Sequence, residues 1–438
     1  MDIATTELRA GPLRCRFTDG ELRYLRIGNV ELVRRLYFAV RTKTWDTLIP
    51  TFPNFSCEIG EDRFVIRFDA VAERPGAGYD SDGGFKWSAE IFGDPDGTIR
   101  YRVAGAPTRD FEGNRVGLCV LFGTPDVCGT EYELVTEAGE TKESTFPKQV
   151  NAPLTFEERF LRIRSRRGPG QGVLVNLEGD GIFSMEDQRN FADSSFKAYA
   201  TLPYAYPKLR SGQRFVQEIT CSPEGYPGYK YGDDDQSYVQ TPEGPTGKFP
   251  KLIPTSKGER TWFHGVNHNR EKTRAGDAVT FSYFPVEHLA DDDTCWENAP
   301  CIRELADSAR LIAPGKPVDI THVGIKTSHP SPRKDPRNGG AFGAAWAAAT
   351  TAYAAVAGVR SVAFDMGPGA GSKMVARLAA LEGKPVRALR ISYAGLIPPV
   401  VGFEIGGKPM LVNRTNEMQR VALGGKGLWL EPWEVRFP

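Results

Sequence analysis

The chain has 438 residues, of which 40% are hydrophobic and 25% are charged, a composition typical of a soluble globular protein. Its 55 basic and 55 acidic residues cancel, so charge gives no reason to expect a nucleic-acid partner or binding to an anionic membrane. The opening segment lacks an apolar signal region, and no run of about 18 apolar residues follows. The 7 cysteines have no CxxC spacing, so we predict a cytoplasmic protein without a disulfide framework.

Residues 1–221 alternate apolar and polar positions and break at turn dipeptides such as Asp19-Gly20 and Gly28-Asn29. This alternation with tight turns is typical of antiparallel strands. About a dozen short strands without a convincing helix predict one large β-sandwich. The fold class that we predict is α+β and multidomain, with this sandwich at the N-terminus.

The stretch FSMEDQRNFADSSFKAY, residues 183–199, interrupts the strand pattern with opposite charges beside aromatic residues. We expect Arg189 to lie between Glu186 and Asp187, and Lys197 to lie near Asp193. Partly buried ion pairs of this kind tend to specify one geometry, which favours a polar seam at a domain interface. Direct contact of Asp187 and Arg189 with a substrate is the alternative.

Residues 222–260 are rich in Pro and Gly and predict an extended connector. From residue 261, strands and helices alternate, which is typical of a parallel sheet with right-handed crossovers. Residues 261–385 therefore predict a partial (β/α) barrel with four strands, half the number in a closed barrel. Residues 386–438 predict a small C-terminal β-domain whose strands pack on the sandwich. The four predicted barrel strands are TWFHGVN, AVTFSYFP, DITHVGIK and SVAFDMG.

All 5 histidines lie between His264 and His329, and histidine is the side chain that titrates near neutral pH. Ligands of parallel α/β sheets bind at the carboxyl ends of the strands, so the polar residues that follow the predicted strands are candidate site residues. The candidate substrate-binding residues there are Asn267, His268, Asn269, Arg270 and His329. The candidate catalytic residues are His288, Asp292, Glu297 and Asp365.

These residue types suit general acid–base hydrolysis, which needs a base-activated water and a donor to the carbonyl oxygen. His288, flanked by Asp291 and Asp292, is the candidate base. Asn267 or Arg270 would stabilise the oxyanion, and Asp365 or Glu297 would carry the second proton. Alternatively, the acidic run 291–293 is a helix N-terminus.

A metal site is the other alternative, because His, Asp and Glu are suitable ligands. His264 and His268 would lie about 13 Å apart on an extended strand, too far to share one ion unless the strand breaks near Gly265. No HExxH or HxH spacing occurs. We therefore assign no cofactor and keep a metal-dependent enzyme as an open alternative.

Several stretches resemble the D-apionate lactonase family. They are NRVGLCVLFG (114–123), the Phe-Pro of STFPKQV (144–150), MEDQRNFADSSFKAYATLPYAYP (185–207), VNHNR (266–270), FPVEHLADDDTCWEN (284–298), the Asp335-Pro336-Arg337 turn and the helix around Trp346. The resemblance implies a sugar-acid lactone hydrolase with a β-domain, a (β/α)₈ barrel and a C-terminal β-domain. It also implies that this chain is shortened, lacking the first half of the barrel, and that a late-strand glutamate position is Asp365.

The expected substrate is a small carbohydrate or sugar-acid lactone. The alternative function is a non-catalytic sugar-binding or scaffold protein derived from a barrel enzyme. An open four-stranded sheet exposes unpaired edge groups, and two-fold self-association is the commonest symmetry. We therefore predict a homo-oligomer, most simply a dimer.

Overall fold

The computed structural model describes residues 5–43, 47–74, 83–150, 158–201, 208–226, 236–253, 260–286, 289, 291–325 and 335–438. Contacts divide the chain into two compact units. The first contains Met1–Lys148, Thr155–Asp187 and Ser195–Tyr231, and the second contains Gln149–Leu154, Gln188–Ser194 and Gly232–Pro438. The stretch singled out above is therefore divided, because residues 188–194 belong to the second unit and their flanks to the first.

The first unit consists of strands and one short helix, α1 (Thr124–Val127). The strands are β1 (Thr6–Ala10), β2 (Leu13–Thr18), β3 (Glu21–Ile27), β4 (Val30–Thr42), β5 (Thr51–Ile59), β6 (Phe64–Arg74), β7 (Gly83–Gly93), β8 (Ile99–Pro107), β9 (Phe111–Gly123), β10 (Glu131–Thr136), β11 (Thr141–Thr145), β12 (Phe160–Gly168), β13 (Gln171–Gly179), β14 (Ile182–Asp187), β15 (Ser195–Thr201), β16 (Lys208–Leu209) and β17 (Phe215–Glu224).

These strands pair in two antiparallel runs, to which the two-residue β16 adds by pairing with β9. One run is β1-β2-β3-β4-β9-β15-β14, and the other is β5-β6-β7-β8-β17-β13-β12-β10-β11. A single pairing, Phe160 with Phe183, joins them. Leu36 and Val120 of the first run share one hydrophobic core with Ile91 of the second. The predicted large N-terminal β-rich domain is confirmed.

The second unit mixes strands and helices. Its strands are β18 (Ser237–Lys248), β19 (Lys251–Ile253), β20 (Val279–Tyr283), β21 (Val318–Val323), β22 (Ser361–Phe364), β23 (Pro385–Ser392), β24 (Val400–Ile405), β25 (Lys408–Asn413), β26 (Gln419–Leu423), β27 (Lys426–Leu430) and β28 (Val435–Arg436). Its α-helices are α2 (Phe263–His268), α3 (Arg270–Ala275), α4 (Asp292–Asn298), α5 (Cys301–Ile312), α6 (Ala341–Val356) and α7 (Ala370–Leu378). Short 3₁₀ helices span Gln188–Phe191, Pro336–Gly339 and Ala379–Leu381.

Four parallel strands form one sheet in the order β19-β22-β21-β20. Strand β19, the first of the four along the chain, thus pairs with β22, the last. The first and last strands of a closed barrel are neighbours in the same way. In this order the gap in the barrel lies between β19 and β20, whereas we predicted that the first half was missing. The prediction that TWFHGVN is a strand is wrong, because residues 263–268 are helix α2. The actual first strand, β19, lies inside the predicted connector.

Helix α6 is buried along nearly all of its length. Alanine side chains cover most of its surface, which lets neighbouring elements approach closely. At Gly247 of β18, an added Cβ would lie 1.8 Å from the carbonyl oxygen of Ala355, so only glycine fits there. The Ala-rich helix therefore packs directly against a second layer.

That second layer is a seven-stranded sheet, ordered β27-β26-β18-β23-β24-β25-β28. We predicted that the C-terminal strands pack on the sandwich and that residues 222–260 are a connector. The connector prediction is wrong for residues 237–248, because they form strand β18, which pairs with the C-terminal strands. The packing of the C-terminal strands on the sandwich stays a prediction. Val386, Phe403 and Met410 share a hydrophobic core with α6, because α6 offers an apolar surface for them to cover. None of the helices in the described ranges is long and apolar enough to cross a bilayer.

Candidate functional site

An ion pair marks the carboxyl ends of the parallel strands in the second unit. Strand β22 ends at Phe364, and Asp365 follows directly. The Asp365 backbone N–H donates a 2.8 Å hydrogen bond to the carbonyl of Val323 on β21. The Asp365 carboxylate lies 3.5 Å from the Arg260 guanidinium, and these side chains are 31% and 39% exposed. A small molecule can therefore reach both groups from solvent.

Aromatic rings border this ion pair. The Arg260 guanidinium lies over the ring of Phe284, 5.7 Å from its centroid. Phe284 is the first residue after β20 and meets Trp262 edge-on, with centroids 5.5 Å apart. Ligand sites typically combine aromatic walls with a few convergent polar groups. We call Arg260, Trp262, Phe284 and Asp365 the rim site.

A row of rings continues from the rim site. Phe191 lies 6.3 Å from Trp262 and 5.8 Å from His264. His264 in turn stacks on His268, with centroids 5.8 Å apart. The row therefore brings two imidazoles next to the aromatic wall that borders Asp365.

The pKa of His264 is lowered by its surroundings. Burial lowers the pKa of His264 from 6.5, and the charge of His268 lowers it further. His264 is consequently neutral at pH 7 and can accept a proton.

The spacing of the two histidines differs from our expectation. We placed them about 13 Å apart on a strand, but residues four apart on a helix lie on the same face. Phe263 and Val266, three residues apart, point into the core of the second unit. That spacing of apolar residues is the sequence signal that would have predicted α2.

Asn267 lies on α2, Arg270 begins α3, and Asn269 lies between the two helices, so none of the three is at a strand end. Asn267 is buried, where its Nδ2 donates to Asn190 and its Oδ1 accepts from Arg270, each over 2.9 Å. Asn269 donates to the carbonyl of Gly265 over 3.0 Å. These contacts hold local structure, so a substrate-binding role for Asn267, Asn269 and Arg270 stays a prediction without geometric support. His268 is exposed.

Arg189 is 0% exposed and lies within the second unit. Its Nη1 donates to Glu304 of α5 over 3.1 Å, and its Nη2 donates to the Gln149 carbonyl over 3.0 Å. Glu304 also accepts from the Ser194 hydroxyl over 3.2 Å. Glu304 lies 115 residues from Arg189 in sequence, and we had expected only near neighbours as partners.

The remaining contacts of residues 188–194 also tie them to helices of the second unit. The Ser194 N–H donates to Asn298 of α4 over 2.8 Å, and Asn190 accepts from Asn267 of α2. Three helices thus hold this segment in one geometry, which favours the structural alternative over substrate contact.

The flanking charges belong to the first unit. Glu186 accepts a 2.9 Å hydrogen bond from Arg115, and the Lys197 ammonium lies over the Tyr199 ring at 5.3 Å. Asp187 ends β14 and is fully buried. Substrate contact for Asp187 would require exposure that the structure does not give it.

The acidic run 291–293 begins helix α4. Asp291 is the N-cap and accepts from the Thr294 N–H over 2.9 Å. Asp292 accepts from Arg337 over 2.6 Å, and Asp335 holds the same guanidinium. The helix-start alternative thus accounts for Asp291 and Asp292, while Glu297 is half-buried within α4.

His288 and His329 lie outside the described residues. Asp365 is the predicted catalytic residue that the structure describes at a strand end. The sequence analysis did not single out Arg260, Trp262 or Phe284. Within the described ranges, no three His, Cys, Asp or Glu side chains are grouped so as to hold a metal ion.

The fold and the rim site define a class: a large β-rich unit joined to a barrel-related parallel α/β unit with polar groups at the strand carboxyl ends. The chain belongs to the D-apionate lactonase family. The N-terminal domain of D-apionate lactonase matches residues 2–226, and the TIM barrel domain matches residues 248–374. The barrel match begins before residue 261, which agrees with β19 being its first strand.

A relative described as D-apionate lactonase, from Brucella anthropi, is 28% identical over 206 residues, which are 46% of this chain and 32% of the relative. The matched stretch therefore spans about a third of that relative's length. Galactose 1-epimerase from Lactobacillus acidophilus has a TM-score of 0.36 and 8% identity, over 52% of this chain and 98% of that chain. A GalM/aldose epimerase homologue from C. elegans has a TM-score of 0.31 and 10% identity, over 50% and 98%. We draw no conclusion from structural similarities this low.

Proposed function

We propose that this protein is a carbohydrate-processing hydrolase that opens a sugar-acid lactone at the rim site. The observation that carries the proposal is the Arg260–Asp365 pair, 3.5 Å apart and open to solvent at the end of β22. Membership of the D-apionate lactonase family supports the substrate class. Active sites of barrel enzymes occupy this edge of the sheet.

Asp365 is the proposed general base. Its carboxylate takes a proton from water as the hydroxyl oxygen bonds to the lactone carbonyl carbon. The Arg260 guanidinium turns to the developing oxyanion and stabilises its charge. When the carbonyl re-forms, the bond to the ring oxygen breaks and the Asp365 carboxylic acid returns the proton to that oxygen. The product is a hydroxy acid, which ionises at neutral pH.

The aromatic rings supply the binding surface. Trp262 and Phe284 present apolar faces beside the ion pair, and the C–H face of a sugar ring can pack on them while its polar groups meet Arg260. Exclusion of water by the rings would strengthen the charge interactions within the site. His288 and His329 follow β20 and β21 in the sequence and remain candidate members of the same site.

The test is a screen of the full chain against aldonolactones, by pH-stat or product assay, with the Asp365→Asn variant beside the wild type. We expect lactone opening by the wild type and its loss in the variant. Equal rates for the two proteins would remove Asp365 from the reaction. No opening of any aldonolactone, with or without added divalent metal, would remove the lactonase proposal.

The second candidate function is non-catalytic sugar binding, which the ring row from Phe284 to His268 favours. If the protein only binds sugar acids, they should quench the fluorescence of Trp262 although the protein opens no lactone. Quenching in the wild type and its loss in a Trp262→Phe variant, without turnover, would support this function over the first.

Homo-oligomerisation also remains a proposal. Thr261 partly covers the free edge of β20, because the Ser282 N–H donates to its carbonyl over 2.7 Å and the Ser282 hydroxyl accepts from its N–H over 3.1 Å. Sedimentation equilibrium at micromolar concentration tests the proposal. A mass of 48.3 kDa would mean that the chain seals this edge by itself.

A further inference from the structure

The first unit has a buried polar face that is separate from its hydrophobic core. Along β4 and β9, Tyr37 pairs with Cys119, Ala39 with Gly117, and Arg41 with Arg115. Cys119 pairs in turn with Tyr199 of β15. Tyr37, Arg41, Cys119 and Tyr199 are all at least nine-tenths buried, yet they lie outside the core cluster of the described residues. We call this set of residues the Arg41 face.

Arg41 is the unusual member of this face. It is 3% exposed, and no acceptor in the described part of the chain reaches its Nε. Burial opposes its charge, but Tyr199, Tyr37, Cys119 and Glu186 favour the charge, and the pKa of Arg41 is raised. Arg41 is therefore a buried cation with an unused donor. Such a group costs free energy unless an acceptor arrives.

A second unused donor lies at the same place. Arg41 pairs with Arg115 and the next residue, Thr42, pairs with Gly113, so Asn114 is the extra residue of a β-bulge. Asn114 is buried, and its Nδ2 also has no acceptor among the described residues. Bulges redirect side chains and are common beside binding sites. Two independent donors thus lack acceptors at one bulge.

The surroundings add positive charge. Arg115 and Lys197 lie over the Tyr199 ring, 5.4 Å and 5.3 Å from its centroid. Arg115 also donates to Glu186 over 2.9 Å, so one carboxylate borders the same face. A small anion would nevertheless meet three cationic side chains there, those of Arg41, Arg115 and Lys197.

We propose that the Arg41 face binds a small oxyanion, namely the carboxylate of a sugar acid. A guanidinium offers parallel N–H donors that match the two oxygens of a carboxylate, and Asn114 adds a further donor beside the bulge. The oxyanion class follows from the geometry alone. The choice of a sugar acid rests on the proposed function, whose product is such an acid.

The test measures the stability and binding of the full chain in a zwitterionic buffer without added salt. Gluconate, inorganic phosphate and neutral glucose are compared by thermal unfolding and by calorimetry. We expect gluconate to raise Tm and glucose to leave it unchanged. Arg41→Met should raise the Tm of the ligand-free protein, because it removes a buried Nε donor that has no acceptor in the described part of the chain. It should also weaken gluconate binding roughly tenfold to a hundredfold, the scale of a charged hydrogen bond.

Arg34→Met is the matched control, because Arg34 is buried on the same strand but donates to Glu31 over 2.7 Å. It should lower Tm and leave the gluconate dissociation constant unchanged. A lower Tm for Arg41→Met, or gluconate binding that does not depend on Arg41, would overturn the proposal. Equal binding of phosphate would overturn the sugar-acid assignment.

Binding is measured without turnover, so the two proposals fail separately. Gluconate binding at Arg41 in a protein that opens no lactone would contradict the proposed function only. Lactone opening without gluconate binding at Arg41 would contradict this inference only.

Discussion

The four-stranded parallel sheet carries an Asp–Arg pair at each end, and the two pairs differ. At the amino ends, Asp319 accepts from the Arg360 Nε over 3.0 Å and from the Ser361 hydroxyl over 2.7 Å, and its second oxygen accepts from the Arg360 Nη2. At the carboxyl ends, Asp365 and Arg260 are 3.5 Å apart beside aromatic rings.

The same pair of residue types therefore serves two purposes. The amino-end pair is bidentate and joins β21 to the start of β22, so its hydrogen-bonding capacity is used within the fold. The carboxyl-end pair is longer and borders an aromatic wall, so it can exchange partners with a ligand. Loops at the carboxyl ends can vary without disturbing the sheet, which is why sites of this fold occur there.

Substitution of the two aspartates gives the largest expected contrast. Asp365→Asn should lower kcat for lactone opening roughly 100-fold or more, the usual scale for a lost general base, with little change in Tm. Asp319→Asn should lower Tm modestly through lost charged hydrogen bonds and leave kcat unchanged. Steady-state kinetics and thermal unfolding of both variants check this. A similar loss of kcat in the two variants would show that the edges are not functionally distinct.

Substitution of the two arginines, Arg260 and Arg360, tests the same difference between the two ends of the sheet. Arg260→Met should lower kcat by about 100-fold, as the loss of an oxyanion donor does. Arg360→Met should leave kcat within a factor of about two, because Arg360 lies at the opposite ends of the strands from the rim site. Its exposed ion pair with Asp319 also contributes little to stability. The measurement is kcat at saturating lactone. Full activity in Arg260→Met would exclude this side chain from transition-state stabilisation.

The aromatic wall should affect binding more than chemistry. Trp262→Ala should raise KM roughly threefold to tenfold, the range expected for the loss of an aromatic contact, with a smaller effect on kcat. Trp429, exposed on β27 of the other sheet, provides the control, and Trp429→Ala should leave KM unchanged. Equal effects of the two substitutions would argue against sugar packing on Trp262.

The smallest expected effect is a pH dependence from His264. Its pKa is lowered from 6.5 in the folded protein, first by burial and then by His268. The unfolded chain therefore binds more protons as pH falls below 6.5, so this contribution to stability is fully present above 6.5 and declines below it. His268→Ala should raise the pKa of His264 and reduce the decline. NMR titration of the imidazole and Tm between pH 5 and 8 measure both, and an unchanged His264 pKa in the variant would contradict the coupling.

Local sequence patterns were sufficient to predict many of the strands and helices. The alternation in residues 1–221 predicted strands because the two faces of a strand differ in burial, a property of neighbouring residues. The alternation of strands and helices predicted after residue 261 also rested on local patterns. The same reasoning placed Asp365 at a strand end, because it directly follows the apolar run of β22.

Two errors arose where tertiary contacts outweighed local preference. TWFHGVN is rich in strand-forming residues, but Phe263 packs edge-on against Phe281 of β20 with centroids 5.2 Å apart, which a helix allows. The prolines of β18 argued against a strand, yet the register shifts lie between Val239 and Pro242 and between Glu243 and Gly247. Proline is tolerated at such irregularities.

The sequence did not predict which residues the charged side chains contact. Local spacing predicts which residues share a face, but it does not predict which distant segments meet. Glu304 meets Arg189 only because α5 packs against residues 188–194, and Arg260 lies near Asp365 where its neighbour Thr261 bonds to Ser282 of β20. The sequence alone thus determined the residue types available at the strand ends. The pairing of strands far apart in the chain, which buries apolar surface that no local segment can bury, decided which of them form the rim site.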